Sequence, residues 1–368
     1  MAPDRRRARQ AAVVRALDGE GGGLDALLVS SRANIRYLTG FSGSSALVVV
    51  TRADVLLVTD FRYTEQARAE AGGVARVEVE STSVWDRLFK ELATLGPLDG
   101  VGFEAHAVSV HDAQRFAEAG NAWRWKPTTE LVERLRVAKD EGEVAAIRSA
   151  ALLAGEALRQ TLGEVRPGMS EAAIAGALEY AMRRLGSEGH PFATIVASGP
   201  RSALPHARSS GRAVAAGEWL LIDFGAQVDG YCADLTRTVV VGARASERQR
   251  VLYELVHEAQ RRARGGVRAG MSGRDADALG REPIAARGFG EAFGHSLGHG
   301  LGLEVHEAPR LSKTNLDPLP AGAVVTIEPG VYLAGEGGVR IEDDVHLTPD
   351  GGGAELLSDG LTELIELV

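Results

Sequence analysis

One hexapeptide occurs twice in the second part of this 368-residue chain. Val165-Arg166-Pro167-Gly168-Met169-Ser170 returns as Val267-Arg268-Ala269-Gly270-Met271-Ser272. In each copy a long helical run leads to the glycine, and the serine stands where it can cap a new helix. The residues downstream keep step with the repeat. Asp223 and Asp234 follow the first copy, Glu328 and Glu342 follow the second at comparable distances, and His206 and His306 also correspond. The pattern predicts two similar α–β halves related by a pseudo-two-fold axis, each giving two carboxylates to one central site.

These acids stand in glycine-punctuated runs that otherwise read as buried strands: LLIDFGAQVDGYCADLTRT, FGHSLGHGLGLEVHE, VVTIEPG and GGVRIEDD. Take Glu218–Val241 as a hairpin turning near Val228-Asp229-Gly230. A two- or four-residue turn then puts Asp223 and Asp234 on one face, either opposed at about 5 Å or diagonal at about 7–8 Å. A three-residue turn would separate them. Bare carboxylates so close on a buried face repel and raise one pKa, and divalent cations relieve that cost. Arg340 and Glu342 share a strand face. His299 lies between Gly298 and Gly300, where the backbone can be approached closely. Oxygen-rich ligation with one imidazole favours Mn²⁺, with Co²⁺, Fe²⁺ or Zn²⁺ as alternatives, over a thiolate site. Four carboxylates nearly balance two such ions, which activate water and clamp a tetrahedral intermediate.

Length allows two domains. Residues 24 to about 127 read as a small α/β unit with strands at 24–29, 46–50, 55–59, 74–79 and 100–103 and helices at 63–71, 84–95 and 110–119. Helical periodicity then runs from Leu131 to about Leu162. The boundary is therefore expected near 128, giving an N-terminal α/β domain at 1–127 and a catalytic domain at 128–368. The net charge of −9 and the lack of a basic stripe argue against nucleic acid. No apolar run is long enough to span a membrane. The arginine-rich start lacks the apolar core of a secretory signal, and one cysteine, Cys232, fits a reducing cytoplasm.

The motifs SGPRSALPHARSS, IDFGAQVDGYCADLTRT, HSLGHGLGLEVHEAP, TIEPGVY and GVRIEDD, in this order, resemble the pita-bread metallopeptidases, and most of all the branch that cleaves Xaa-Pro bonds. NIRYLTGFSGSSALVV and TDFRYTEQA resemble that branch's N-terminal domain. The resemblance implies an α/β (α+β) fold with a creatinase-like first domain that restricts substrate and dimerises. It implies a dinuclear site on Asp223, Asp234, His299, Glu328 and Glu342, with Glu328 also shuttling the proton. His206 and His306 would bind substrate and stabilise the transition state, His295 would be a further substrate-side histidine, and Arg340 a site arginine. The expected activity is that of a cytoplasmic, homodimeric Xaa-Pro dipeptidase acting on proline-containing peptides. An aminopeptidase P acting on longer peptides is the neighbouring reading. From another class stands a non-catalytic peptide-binding protein on the same fold.

Overall fold

The computed structural model describes residues 3–19, 23–119 and 122–368. The chain divides into two compact units, Met1–Arg136 and Val137–Val368. The first holds a six-stranded mixed sheet, in spatial order Arg76–Glu80, Val55–Asp60, Ala46–Thr51, Ala26–Val29, Gly100–Glu104 and Arg124–Thr128. Thr51–Asp54 closes the antiparallel pair in its middle, with Val50 opposite Val55. Three elements of this unit were not read from sequence: the helices Pro3–Asp18 and Arg32–Thr39 and the edge strand Arg124–Thr128.

The units part between Arg136 and Val137, later than the boundary read near 128. Segment 129–136 is tied to the first unit: Tyr37 donates its hydroxyl proton to the Leu135 carbonyl at 3.0 Å, and Arg136 Nη1 donates to Asn34 Oδ1 at 2.7 Å. The single helix expected from Leu131 is two helices, Glu133–Val137 and Glu141–Leu162. Asp140 starts the second one. It accepts from the Gly142 and Glu143 amides while Glu143 accepts from the Asp140 amide, a reciprocal cap that satisfies otherwise orphaned donors.

The second unit repeats itself. Its first half runs from helix Glu141–Leu162 through helix Glu171–Arg184 to the antiparallel strands Ile195–Ser198, Glu218–Phe224 and Leu235–Val241. Its second half runs from helix Glu247–Gly266 through helix Gly273–Ala286 to the strands Gly298–Gly300, Glu307–Leu311, Val324–Ile327 and Asp343–Leu347. The hexapeptides are matching turns between the paired helices. Gly168 (φ 92°) and Gly270 (φ 82°) both take the left-handed conformation that suits glycine. Their amides donate to Val214 and Leu319 respectively, at 2.8 Å in each case. Ser170 and Ser272 cap the helices that follow. The preceding helices stop at Leu162 and Gly266, before these glycines, so the glycines shape the turn and do not end the helices.

Each half has its own apolar core, built by strand alternation. Leu220, Ile222 and Phe224 pack with Leu158, Ile174 and Leu178 in the first. Val325, Ile327, Ile341 and Val345 pack with Val256, Ala259 and Ile284 in the second. Because successive strand residues point to opposite faces, the residues between and just beyond these core positions, among them Asp223, Glu328 and Glu342, are turned away from the helices. Among the described residues no helix is long and apolar enough to cross a membrane.

Candidate metal centre

One cavity of about 380 Å³ in the second unit is lined by all nine residues singled out from sequence: His206, Asp223, Asp234, His295, His299, His306, Glu328, Arg340 and Glu342. The hairpin carrying the two aspartates turns through Asp229 (φ 50°) and Gly230 (φ 79°), a two-residue connection with both central residues left-handed. The register pairs Asp223 with Thr236, so Asp234 is the diagonal neighbour of Asp223 on the same face. Glycines flank His299 because the neighbouring backbones come very close. A Cβ at Gly298 would lie 1.9 Å from the Thr326 carbonyl oxygen, and one at Gly300 2.1 Å from that of Ala308.

The ligand-type atoms converge. One such atom from each of Asp234, His299 and Glu342 falls within 4.8 Å of the others. His299 Nε2 lies 3.7 Å from Asp234 Oδ2 and 3.6 Å from Glu328 Oε1. Its Nδ1 lies 3.0 Å from the Gly300 carbonyl oxygen, which fixes the ring and leaves Nε2 facing the carboxylates. Thr236 Oγ1 donates to Glu342 Oε2 at 2.5 Å, and Thr326 Oγ1 to Glu328 Oε1 at 3.3 Å. Asp223 Oδ2 accepts from Arg340 Nη2, while Asp223 Oδ1 is buried with no hydrogen-bond partner.

The electrostatics fit cations. Burial raises the Asp223 carboxyl above its usual range. Burial, then repulsion from Glu342, holds Asp234 and Glu328 well above theirs. Burial and the Asp223 charge push Glu342 up to about 7. Burial lowers His299 to about 4, so its imidazole is neutral at pH 7 and able to ligate. Four crowded carboxyls that resist ionisation, one of them with an orphaned oxygen, make a donor set that divalent cations would satisfy.

The backbone carrying the other cavity histidines is held by buried polar clamps. Glu171, fully buried, accepts from the amides and hydroxyls of Ser198 and Ser210 and from Arg201 Nε, which fixes the loop bearing His206. Burial alone would raise Glu171, but the hydrogen bonds from Ser210, Ser198 and Arg201 outweigh it and hold the carboxyl below its usual range. Asp277 grips Arg281, whose Nη2 donates to the His295 carbonyl at 2.6 Å. Lys139 and Glu307 form a buried ion pair at 3.0 Å beside His306. The His306 ring meets that of His299 edge-on, with centroids 4.5 Å apart.

Two residues of the cavity region escaped the sequence reading. Tyr332 places its hydroxyl 2.8 Å from His295 Nε2 and accepts from Arg340 Nη1 at 2.8 Å, joining the histidine to the Arg340–Asp223 pair. It closes the run TIEPGVY, in which the acid is the residue whose chemistry the sequence makes plain. Arg310 stands in register opposite His299 on the adjacent strand, lines the cavity, and has no carboxylate partner among the described residues. Its positive charge adds to burial in keeping His306 below its ordinary value. In the first unit, Glu104, His106 and Glu133 also gather, but Asn34 and the Ser30 and Ser31 amides occupy both Glu104 oxygens.

Comparison with known proteins identifies the family. Residues 145–349 match metallopeptidase family M24, and residues 9–138 match the creatinase/prolidase N-terminal domain. An Xaa-Pro dipeptidase of Pyrococcus furiosus is 36% identical over 330 residues, covering 89% of this chain and 92% of that protein. The solved structure of an Xaa-Pro dipeptidase from Bacillus anthracis superposes with a TM-score of 0.93 at 39% identity, over 98% of this chain and all of that one. That of an X-Pro aminopeptidase from Thermotoga maritima gives 0.89 at 39% identity, over 97% of this chain and 99% of that one.

Proposed function

Because the chain belongs to metallopeptidase family M24, with a creatinase/prolidase N-terminal domain ahead of the catalytic unit, we propose that it hydrolyses the peptide bond before proline and that its preferred substrates are Xaa-Pro dipeptides. Divalent metal ions belong to this chemistry, and Mn²⁺ is the proposed occupant of the site formed by Asp223, Asp234, His299, Glu328 and Glu342. These residues would hold a pair of such ions, and the chemistry supplied when they are bound would be Lewis-acid polarisation of the scissile carbonyl and a water made nucleophilic near neutral pH. Glu328 takes the proton of the attacking water and hands it to the proline nitrogen, a transfer suited to a carboxyl held well above its usual range. His306, neutral at pH 7, and His206 donate to the carbonyl oxygen as charge develops on it. His295, tethered by Tyr332, borders the bound peptide, and Arg340 keeps Asp223 in place.

The observation that carries the dipeptide reading is Arg310. An unpaired guanidinium sits one strand away from His299 on the cavity wall. A proline carboxylate, present at that distance only when the substrate ends there, is its natural partner. Loss of a hydrogen bond to a charged group costs about 1.5–3 kcal/mol. Arg310→Gln is therefore expected to lower kcat/KM on an Xaa-Pro dipeptide by about 10–100-fold, chiefly through KM, and to leave an Xaa-Pro-led tripeptide amide nearly unaffected. Parallel rates on the dipeptide and tripeptide, before and after the substitution, test this. Equal losses on both would remove Arg310 from carboxylate recognition. The aminopeptidase reading is supported by the Thermotoga maritima structure, and faster cleavage of the tripeptide by the wild-type protein would establish it.

A cytoplasmic homodimer completes the proposal. The lone cysteine, buried at 2% exposure with its thiol pushed up by burial, fits a reducing compartment. The first unit would restrict substrate length and carry the dimer contact, as the family resemblance implies.

A further inference from the structure

The two halves of the second unit meet at the metal centre through one antiparallel bridge, Thr236 to Glu342. There the Glu342 amide donates to the Thr236 carbonyl at 3.1 Å. On the cavity side Thr236 Oγ1 holds Glu342 Oε2. On the far side lies Arg237, 3% exposed and absent from the cavity wall. Its Nη1 donates to the carbonyls of Thr236 at 2.9 Å and Glu342 at 2.5 Å, one from each half. Its Nη2 donates to Asp343 Oδ1 at 2.7 Å. Asp343 is fully buried and accepts in addition from Ser358 Oγ at 2.5 Å, Gln260 Nε2 at 2.6 Å and Arg264 Nη1 at 3.3 Å, while Asp359 Oδ1 lies 3.8 Å from Arg237 Nη2.

We infer that Arg237, anchored by Asp343, is a positioning residue for the cation site, bracing the Thr236 and Glu342 backbones so that carboxylates from both halves stay at ligating distance. The inference rests on the two-cation reading above. Three features point beyond fold maintenance. A buried ion pair contributes little to stability that an apolar pair of similar volume would not match. The planar fork is what allows one side chain to reach two carbonyls and a carboxylate together, which a lysine ammonium on a flexible stem does less well. And the carbonyls it grips belong to Glu342 and to the threonine that orients Glu342. Groups that orient metal ligands are worth about 10–100-fold in metal affinity.

The test is calorimetric titration of Mn²⁺ into chelator-stripped protein, with the melting temperature of each stripped protein recorded alongside. R237K keeps the charge beside Asp343 and loses the fork. The double variant R237M/D343L removes both charges and keeps the volume. Both are expected to bind Mn²⁺ with a dissociation constant raised about 10–100-fold, and excess Mn²⁺ is expected to restore occupancy. Mn²⁺ affinity within about threefold of wild type in either folded variant would overturn the proposal and leave Arg237 a fold-supporting residue. R237K decides alone should the double variant not fold. A wild-type protein that takes up no Mn²⁺ would bring down the cation reading itself, and the brace with it.

Discussion

Glu328→Gln is expected to keep the fold and to lower kcat on an Xaa-Pro dipeptide by about 10²–10⁴-fold, the range over which a positioned proton-transfer group acts. Glutamine has the same shape. Its side-chain carbonyl can still accept from Thr326 Oγ1, and the backbone amide at 328 still donates to the Leu297 carbonyl. What it lacks is the ability to take up a proton. The native carboxyl is well placed for that, with Oε1 3.6 Å from His299 Nε2 and Oε2 3.8 Å from His295 Nδ1, at the junction of the proposed ligands and the substrate-side histidines. The substitution also removes one ligand charge, so rates are to be compared across an Mn²⁺ series: a loss of affinity is recovered at high metal, while a loss of proton transfer is not. Proline release gives the rate, and circular dichroism the fold. Near-normal turnover at saturating metal would take the proton-shuttling role away from Glu328.

What the sequence made legible follows from periodicity. The hexapeptide repeat and the acids set in apolar runs point to two halves with a shared polar seam, because strand alternation can turn Leu220 and Ile222 inward only by turning Asp223 the other way. Parity fixes the face and leaves the register open. That is why Asp223 and Asp234 were expected on one side without a choice between opposed and diagonal. It is also why the sequence does not show that Asp343 pairs with Arg237, from the other half of the chain. Arg310 was illegible for a related reason. It lies in the edge strand Glu307–Leu311, where an arginine looks like ordinary surface, and only the pairing with His299 across strands gives it meaning. The break between Val137 and Glu141 was hidden because Lys139-Asp140 reads as an exposed helical turn, whereas Lys139 is buried against Glu307 and Asp140 is a cap.

Chelation is expected to abolish hydrolysis, Mn²⁺ add-back to restore it, and the stripped protein to lose stability as pH rises through about 7. The sign follows from the raised carboxyls. A group whose pKa in the folded state lies above its unfolded value contributes stability that is fully present below the unfolded value and is lost as pH rises through the folded one. Glu342, moved from an ordinary value near 4.5 to about 7, accounts for about 3 kcal/mol across that interval. Asp234, Glu328 and Asp344, held well above their usual range, act in the same direction. Glu171 and Glu218, held low by their partners, act in the opposite direction below about pH 4.5, and His295 and His299, lowered by burial to about 4, oppose the decline up to about pH 6.5, so the fall is clearest from about pH 6.5 upward. Bound cations favour the ionised carboxylates and so reverse the slope, and a thousandfold excess over Kd adds about 4 kcal/mol. Melting temperatures of stripped and Mn²⁺-loaded protein at pH 6, 7 and 8 should therefore diverge, the stripped curve falling from about pH 6.5 upward. Parallel curves, together with peptide binding but no metal-restored hydrolysis, would favour a peptide-binding protein on this fold, since carboxyls that never meet a cation have no reason to remain crowded and proton-hungry around His299.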